Sequence, residues 1–463
     1  MGYSYLSSNR FYYKINFYFV NLLKLLFKEF IKMPKVKQLA SLKIANSIDK
    51  TDDWTFNGAL TRELTHCYHD YPARMIPQIA GKILDLFGQD AKLLFDPYSG
   101  TGTSLVEGTL RGINVVGTDL NPLARLIAKA KVSLPDLELI DKEIAKLSKL
   151  VASYKDKLTA KQLVIDGISR LDFWFKESVI EKLYFLREFI DFIEDNIVKL
   201  FFQVAFSETV RESSNTRNEE FKLYRYSKEK LDKFDPQVFV IMLQKLKRNR
   251  AGLEKYLEII YKLENRPTAS IYSFNTVGNI PKDYISPNEV DIVITSPPYG
   301  DSHTTVAYGQ YSRLSAAWLG LEEPEKVDKK LMGGVSSKNF SKLTSEALNF
   351  AIEQISKKDS KRALEVLAFY LDLQASISNV AKVIKPFGYA CYVVGNRKVK
   401  GVVLPTDIVI KDFFESCGFS YINTFIRTIP NKRMPLKNSP TNEIGISDST
   451  MTKEYIVVMQ QKT

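Results

Sequence analysis

One short stretch constrains this chain more than any other: Asp96-Pro97-Tyr98-Ser99-Gly100-Thr101-Gly102-Thr103-Ser104, between the apolar run Ala91–Phe95 and a helix predicted from Thr103 to Arg111. A second apolar run, Ile113–Val116, leads to Asp119. Strand, glycine loop, helix, strand and acidic residue form the first half of a doubly wound α/β sheet. Two glycines at such a turn let the backbone approach a ligand where a side chain would clash. Asp119 is placed to accept hydrogen bonds from ribose hydroxyls. The candidate cofactor-binding residues here are Asp96, Pro97, Tyr98, Gly100, Gly102, Thr103 and Asp119. A nicotinamide dehydrogenase is the obvious competitor, but its third glycine, three residues after the second, is replaced by Leu105. Asp96 also puts a carboxylate where a pyrophosphate would sit at the helix N-terminus. A negative group there suits a cation such as a sulfonium or its amino group. The bland alternative, a tight turn without a ligand, is disfavoured by Asp-Pro before the loop and Asp119 after it.

A later apolar run, Asp291–Thr295, delivers Ser296-Pro297-Pro298-Tyr299 at its C-terminal end, where ligand chemistry occurs in such sheets. The amine on an aromatic base is a poor nucleophile because its lone pair is delocalised into the ring. To attack a methyl sulfonium, its hydrogens must point at fixed acceptors while the lone pair points at the methyl. Ser296 Oγ and the Pro297 carbonyl can be those acceptors. Pro297 and Pro298 stiffen the loop and remove competing backbone donors. Tyr299 offers a flat face for an extruded base. Positioning of this kind, not covalent chemistry, would carry most of the rate. A proline turn with a buried tyrosine is the alternative for an isolated Pro-Pro-Tyr. It loses ground beside the glycine loop.

On these residues the chain resembles the amino-methylating DNA methyltransferases, which modify cytosine N4 or adenine N6. The match covers the loop Asp96–Gly102, Asp119, Ser296–Tyr299 and Lys385–Gly388. It also takes in Tyr71-Pro72-Ala73-Arg74-Met75, where Tyr71 and Pro72 resemble the family's element covering the cofactor. The resemblance implies a doubly wound, mostly parallel seven-stranded sheet with a helical insertion, S-adenosyl-L-methionine as cofactor and no metal. It also implies double-stranded DNA as substrate, base flipping, and a possible cognate restriction endonuclease acting on the same site. Ser-Pro-Pro-Tyr is commonest in cytosine-N4 enzymes. The glycine loop precedes the catalytic loop, an order met mostly in adenine enzymes, and this keeps adenine N6 open. Methylation at ring carbon five needs a Pro-Cys nucleophile, and none of Cys67, Cys391 and Cys417 follows a proline. An RNA base methyltransferase and a catalytically silent DNA-binding protein remain as further alternatives.

The expected organisation is a basic N-terminal extension (1–50), a cofactor half (51–134), a helical insertion and candidate target-recognition region (135–270), and a catalytic half (271–463). Helices are predicted from Pro72 to Phe87 and over Glu177–Phe206. A late pair of strands, Phe419–Ile429 and Glu454–Gln460, suits an antiparallel hairpin at the sheet edge. The net charge is +12, but residues 1–50 hold nine Lys/Arg against two Asp/Glu, so the global argument for a polyanionic partner is modest. Residues 1–32 read as a poorly structured extension, and their longest uncharged run, Ile15 to Leu23, is too short to span a bilayer. Three unclustered cysteines fit a reducing cytoplasm. Residues 222–262 carry eleven Lys/Arg against five acids, with Tyr224, Tyr226 and Phe234 interleaved. Such a segment suits phosphate contact, or is a solvated helix face. Arg211, Asn215, Thr216, Arg217 and Asn218 are candidates to read base edges or fill the space of a flipped base. Asp301–Arg313 and the basic loop Asn431–Pro435 with Lys437–Pro440 are further candidates for the base pocket and the DNA face.

Overall fold

The computed structural model describes residues 53–155, 163–218, 220, 222–300, 306–429, 437–438, 448–449 and 451–462. The N-terminal extension, Asp301 to Thr305 and the loop Asn431–Pro435 lie outside the described residues. Within Asp53–Lys462, which form one compact unit, seven strands make a single sheet. They are β1 (Leu93–Asp96), β2 (Asn114–Thr118), β3 (Ala269–Tyr272), β4 (Val290–Thr295), β5 (Ile384–Val394), β6 (Phe419–Thr428) and β7 (Lys453–Gln461), in the order β3-β2-β1-β4-β5-β7-β6. β3, β2, β1, β4 and β5 pair in parallel, and β7 runs antiparallel to both β5 and β6. A dinucleotide-binding sheet runs 3-2-1-4-5-6, so the inserted antiparallel β7 separates this fold from that class.

The chemistry of each strand explains its place. Ile292, Val293 and Ile294 on β4 are fully buried, as expected of a central parallel strand covered on both faces. On β7, Ile456 through Met459 are equally buried, whereas Tyr421 and Ile426 of β6 are exposed. The expected late hairpin therefore forms with its more apolar strand inside and its mixed strand at the edge. Asp291 ties three strands together: one oxygen accepts from the backbone N–H groups of Lys92 and Leu93, both 2.9 Å, and the other from Lys385 Nζ at 2.8 Å.

Helices α1 (Pro77–Phe87), α2 (Thr103–Thr109) and α3 (Pro122–Val132) follow the first half of the sheet. The helix expected from Pro72 begins instead at Pro77, which occupies a first-turn position after extended Ile76. The insertion is helical: α4 (Leu137–Ala152), α5 (Glu177–Asp191), α6 (Asn196–Ser213) and α7 (Val238–Ile260). The single helix expected over Glu177–Phe206 is split, because the Asp195 side chain accepts from Ile197 and Val198 N–H, both 2.8 Å, and starts α6. α8 (Tyr308–Trp318) packs on α6, with Ser315 Oγ donating to Ser207 O at 2.6 Å. α9 (Glu346–Ser356), α10 (Ser360–Ala381) and α11 (Thr406–Ser416) bury Leu348, Leu367, Tyr370 and Phe413 in one core with Val293, Ala390 and Val457. Among the described residues no helix is long and apolar enough to cross a membrane, and no cluster of metal-ligating side chains occurs.

Candidate active site

The carboxyl ends of β1, β2 and β4 open into one cleft of about 940 Å³, counting its open mouth. Its lining includes Tyr71, Pro72, Asp96, Pro97, Tyr98, Gly100, Thr103, Asp119, Ser296 and Pro298. Most of the residues singled out from sequence thus converge on one place. Pro297 and Tyr299 continue the same loop, and Gly102 sits behind the cleft at the start of α2.

The glycine loop is built by backbone constraint and by two aspartates. Gly100 and Gly102 have φ of 49° and 77°, values that favour glycine. A Cβ on Gly102 would lie 3.0 Å from Ala128 Cβ on α3, so a larger residue would push the loop off that helix. Asp119 accepts from Gly100 N at 2.9 Å and Asn121 N at 2.7 Å. Asp96 is almost fully buried and accepts from Thr295 Oγ1 at 2.5 Å, from Tyr98 N at 3.1 Å and from Ser104 Oγ. It therefore joins the glycine loop to the strand that carries Ser296. Burial pushes its carboxyl up to about 6, against the opposing pull of these donors. The tie through Thr295 explains why the two motifs share one cleft. The sequence reading aimed the Asp96 carboxylate at the ligand, but here its first task is to lock the walls.

Ser296 lines the cleft, and its hydroxyl donates to Tyr299 OH at 3.4 Å. Tyr299 in turn donates to Glu454 Oε1 on β7 at 3.0 Å. Burial, followed by the Glu454 carboxylate, holds the Tyr299 phenol well above its usual range, so it stays protonated.

Asn121 was not singled out from the sequence. It caps α3, accepting from Leu123 N at 3.1 Å, and its amide donates to Tyr71 OH at 2.8 Å and Ser312 Oγ at 3.0 Å. The available signal was Asn before Pro122, a helix start. Tyr308, from the stretch after the catalytic loop, stacks on Tyr71 with centroids 5.9 Å apart and planes 14° from parallel. Arg74 completes one side, and Lys131 lies buried behind Thr101 of the same wall. Lys131 is fully buried, its Nζ 3.3 Å from Thr101 Oγ1, and Arg74 lines the cleft and donates to His66 O at 3.0 Å. Among the described residues neither has a carboxylate within salt-bridge distance, and burial lowers the pKa of both.

The insertion answers differently. Arg211, Asn215 and Thr216, expected as possible base readers, are buried. Arg211 donates to Glu220 O at 2.7 Å and stacks over Tyr311, 4.7 Å from the ring centroid. Thr216 pairs with Arg225 to close a hairpin. Arg217 and Asn218 are exposed on it. Of the basic residues in 222–262, Arg248 pairs with Glu208 at 2.7 Å, Lys245 with Glu208 at 3.3 Å, and Arg250 with Asp141 at 2.9 Å. These α7 cations are half-buried and spent on ion pairs, neither a solvated face nor free for phosphate, whereas Arg225, Lys228, Lys230 and Lys233 are exposed.

A sheet with an antiparallel seventh strand, a glycine loop backed by Asp119, and Ser-Pro-Pro-Tyr opening into the same cleft together define a Rossmann-like amino-methyltransferase. No family model matches the chain. The chain is 42% identical over 437 residues to the type II methyltransferase M.MvaI of Kocuria varians, covering 90% of this chain and 96% of that one. To the type II methyltransferase M.BsoBI of Geobacillus stearothermophilus it is 22% identical over 455 residues, 85% and 87% of the two chains. Among solved structures it is similar to the rRNA methyltransferase aviRa of Streptomyces viridochromogenes at 11% identity and a TM-score of 0.30, covering 85% and 88%. The chain belongs to the type II DNA methyltransferases, and S-adenosylmethionine is its methyl donor.

The residues present fit that donor. Glycines at positive φ leave the backbone open to a ligand, Asp119 stands at the tip of β2 in the cleft wall, and the Arg74 guanidinium in the same wall suits an amino-acid carboxylate.

Proposed function

We propose that this protein is a site-specific DNA methyltransferase that modifies the N4 amine of a flipped-out cytosine. In this reading it works in the cytoplasm as the protective partner of a restriction endonuclease acting on the same site. The observation that carries the reading is Ser296 at the end of β4, in the cleft that Asp96, Gly100 and Asp119 also line. Tyr71, Asp96–Thr103 and Asp119 would hold the cofactor. When bound, it supplies a methyl carbon already activated as a sulfonium.

The protein's own work is then positional. Ser296 Oγ and the Pro297 carbonyl accept the two amine hydrogens and aim the lone pair. Pro297 and Pro298 keep those acceptors stiff, and Tyr299 backs the base. The insertion, residues 135–270, would supply target recognition, with the hairpin bearing Arg217, Asn218, Tyr224 and Arg225 toward DNA. Adenine N6 is the second reading, favoured by the glycine loop preceding the catalytic loop. Transfer of labelled methyl to random-sequence duplex DNA, with nucleoside analysis of the digest, tests both. N4-methylcytidine is expected. N6-methyladenosine would keep the mechanism and reassign the base, and a cofactor-bound protein that labels no nucleic acid would overturn the enzymatic reading.

A further inference from the structure

We propose that Glu454 is the proton acceptor of the methyl-transfer site, reached from the target amine through Ser296 and Tyr299. This rests on the reading of Ser296 as the acceptor for that amine. Three elements distant in sequence meet here: the loop after β4, strand β7, and Arg427 on β6. Ser296 Oγ donates to Tyr299 OH at 3.4 Å, and Tyr299 OH donates to Glu454 Oε1 at 3.0 Å. Arg427 pairs with the other Glu454 oxygen. Both hydroxyl hydrogens thus point the same way, from the cleft toward the carboxylate. Ser296 keeps its lone pairs for a hydrogen arriving from the cleft. The first contact is long, as catalytic contacts often are before substrate binds. The Tyr299 ring packs against the backbone of Gly395, where an added Cβ would fall 3.2 Å from the ring and collide with Met451.

The chemistry needs such an outlet. When the amine attacks, its lone pair forms the new N–C bond, the C–S pair stays on sulfur, and the nitrogen is left cationic with one proton too many. That proton passes to Ser296 Oγ as the Ser296 proton passes to Tyr299 and the Tyr299 proton to Glu454 Oε1. Ser296 and Tyr299 end neutral, and Glu454 ends as the acid. A cationic alkylated aromatic amine is a far stronger acid than a carboxylic acid, so the transfer runs downhill. Glu454, with 15% of its side chain exposed, can return the proton to solvent.

Glu454→Gln keeps an acceptor oxygen for Tyr299 but removes the proton sink. Single-turnover methyl transfer to DNA is expected to slow about a hundredfold. Cofactor and DNA dissociation constants should stay within about twofold. Tyr299→Phe leaves the Arg427–Glu454 pair whole and should lose a similar factor, with the double variant no worse than the slower single. Infrared difference spectra during turnover, with ¹³C-labelled glutamate, should show a protonated carboxyl in the wild type and none in Glu454→Gln. An unchanged single-turnover rate in Glu454→Gln would overturn the proposal. So would losses that add in the double variant, a carboxyl band unchanged in Glu454→Gln, or a loss confined to thermal stability. A wild-type protein that binds cofactor yet methylates no base would instead sink the parent reading.

Discussion

The strand-end loops and the helical insertion handle polar side chains in opposite ways. At the ends of β1, β2 and β4, each polar group singled out from sequence lies in or directly behind one cleft, and several remain available to a ligand. In the insertion, Arg211, Asn215 and Thr216 look equally inviting in sequence as readers of base edges, yet all are buried beneath a hairpin they help to shape. A parallel strand has one carboxyl end, so a residue just beyond it has a known address. Arg211 at the end of α6, and Asn215 and Thr216 just beyond it, have no such address, and only the packing around them decides where they end.

Four measurements would break or sharpen that contrast, in descending order of expected effect. Ser296→Ala should lower single-turnover methyl transfer by about a hundredfold, a size typical of losing one preorganised hydrogen-bonding partner, with cofactor affinity unchanged by calorimetry. A loss of cofactor affinity instead would make Ser296 part of the cofactor wall. Asp119→Ala removes a ribose acceptor and frees Gly100 N–H, and should weaken S-adenosylmethionine by about tenfold or more, since a hydrogen bond to a charged group contributes about 1.5–3 kcal/mol.

Arg211→Met should separate the two regions most cleanly. Its guanidinium holds hairpin carbonyls from a buried position with Nε and Nη1 unpartnered, so an apolar replacement of similar length should cost little stability. DNA affinity should nonetheless fall several-fold as the hairpin loosens, with cofactor binding untouched. Unchanged DNA affinity would place the DNA face elsewhere. Smallest of all, Arg225→Ala should weaken DNA binding by a few-fold and reduce the salt slope by about one. Arg250→Ala, whose charge is spent on Asp141 and Glu254, should do neither.

Acid pH probes the buried layer beneath the cofactor cover. His69 is buried, neither ring nitrogen has a partner, and burial lowers its pKa from 6.5 to about 3. Above about pH 6.5 neither the folded nor the unfolded state binds this proton. Below it only the unfolded chain does, so stability falls by about 1.4 kcal/mol per pH unit toward pH 3. His66 shifts in the same direction. Asp96, raised from 3.8 to about 6, acts oppositely: between those values the folded state binds the proton first and gains. Asp119 and Asp372 are raised by burial as well, so the histidine share of the thermal-melting slope below pH 6.5 is read by difference. His69→Phe should flatten that slope by about one proton's share.

Much of this site was legible in sequence because its parts are local. The Gly100–Gly102 turn needs backbone conformations that few residues adopt, and an apolar run followed by Ser-Pro-Pro-Tyr names both the strand and what stands at its tip. Asn121 went unread because a helix cap and a site residue look identical in sequence. The split between α5 and α6 went unread because Asp195 sits in an otherwise helical pattern, and only the bonds it accepts reveal a start.

By itself, then, the sequence determined the fold class, the glycine loop with Asp119, and the Ser-Pro-Pro-Tyr loop at a strand end, because each rests on steric or periodic rules acting over a few residues. Tertiary structure alone decided that Asp96 would bind Thr295 across 199 positions, that β7 would enter the sheet inside β6, and that Glu454 would stand behind Tyr299, 155 positions away. Those contacts depend on strand order and register, and no local rule relates residues so far apart along the chain.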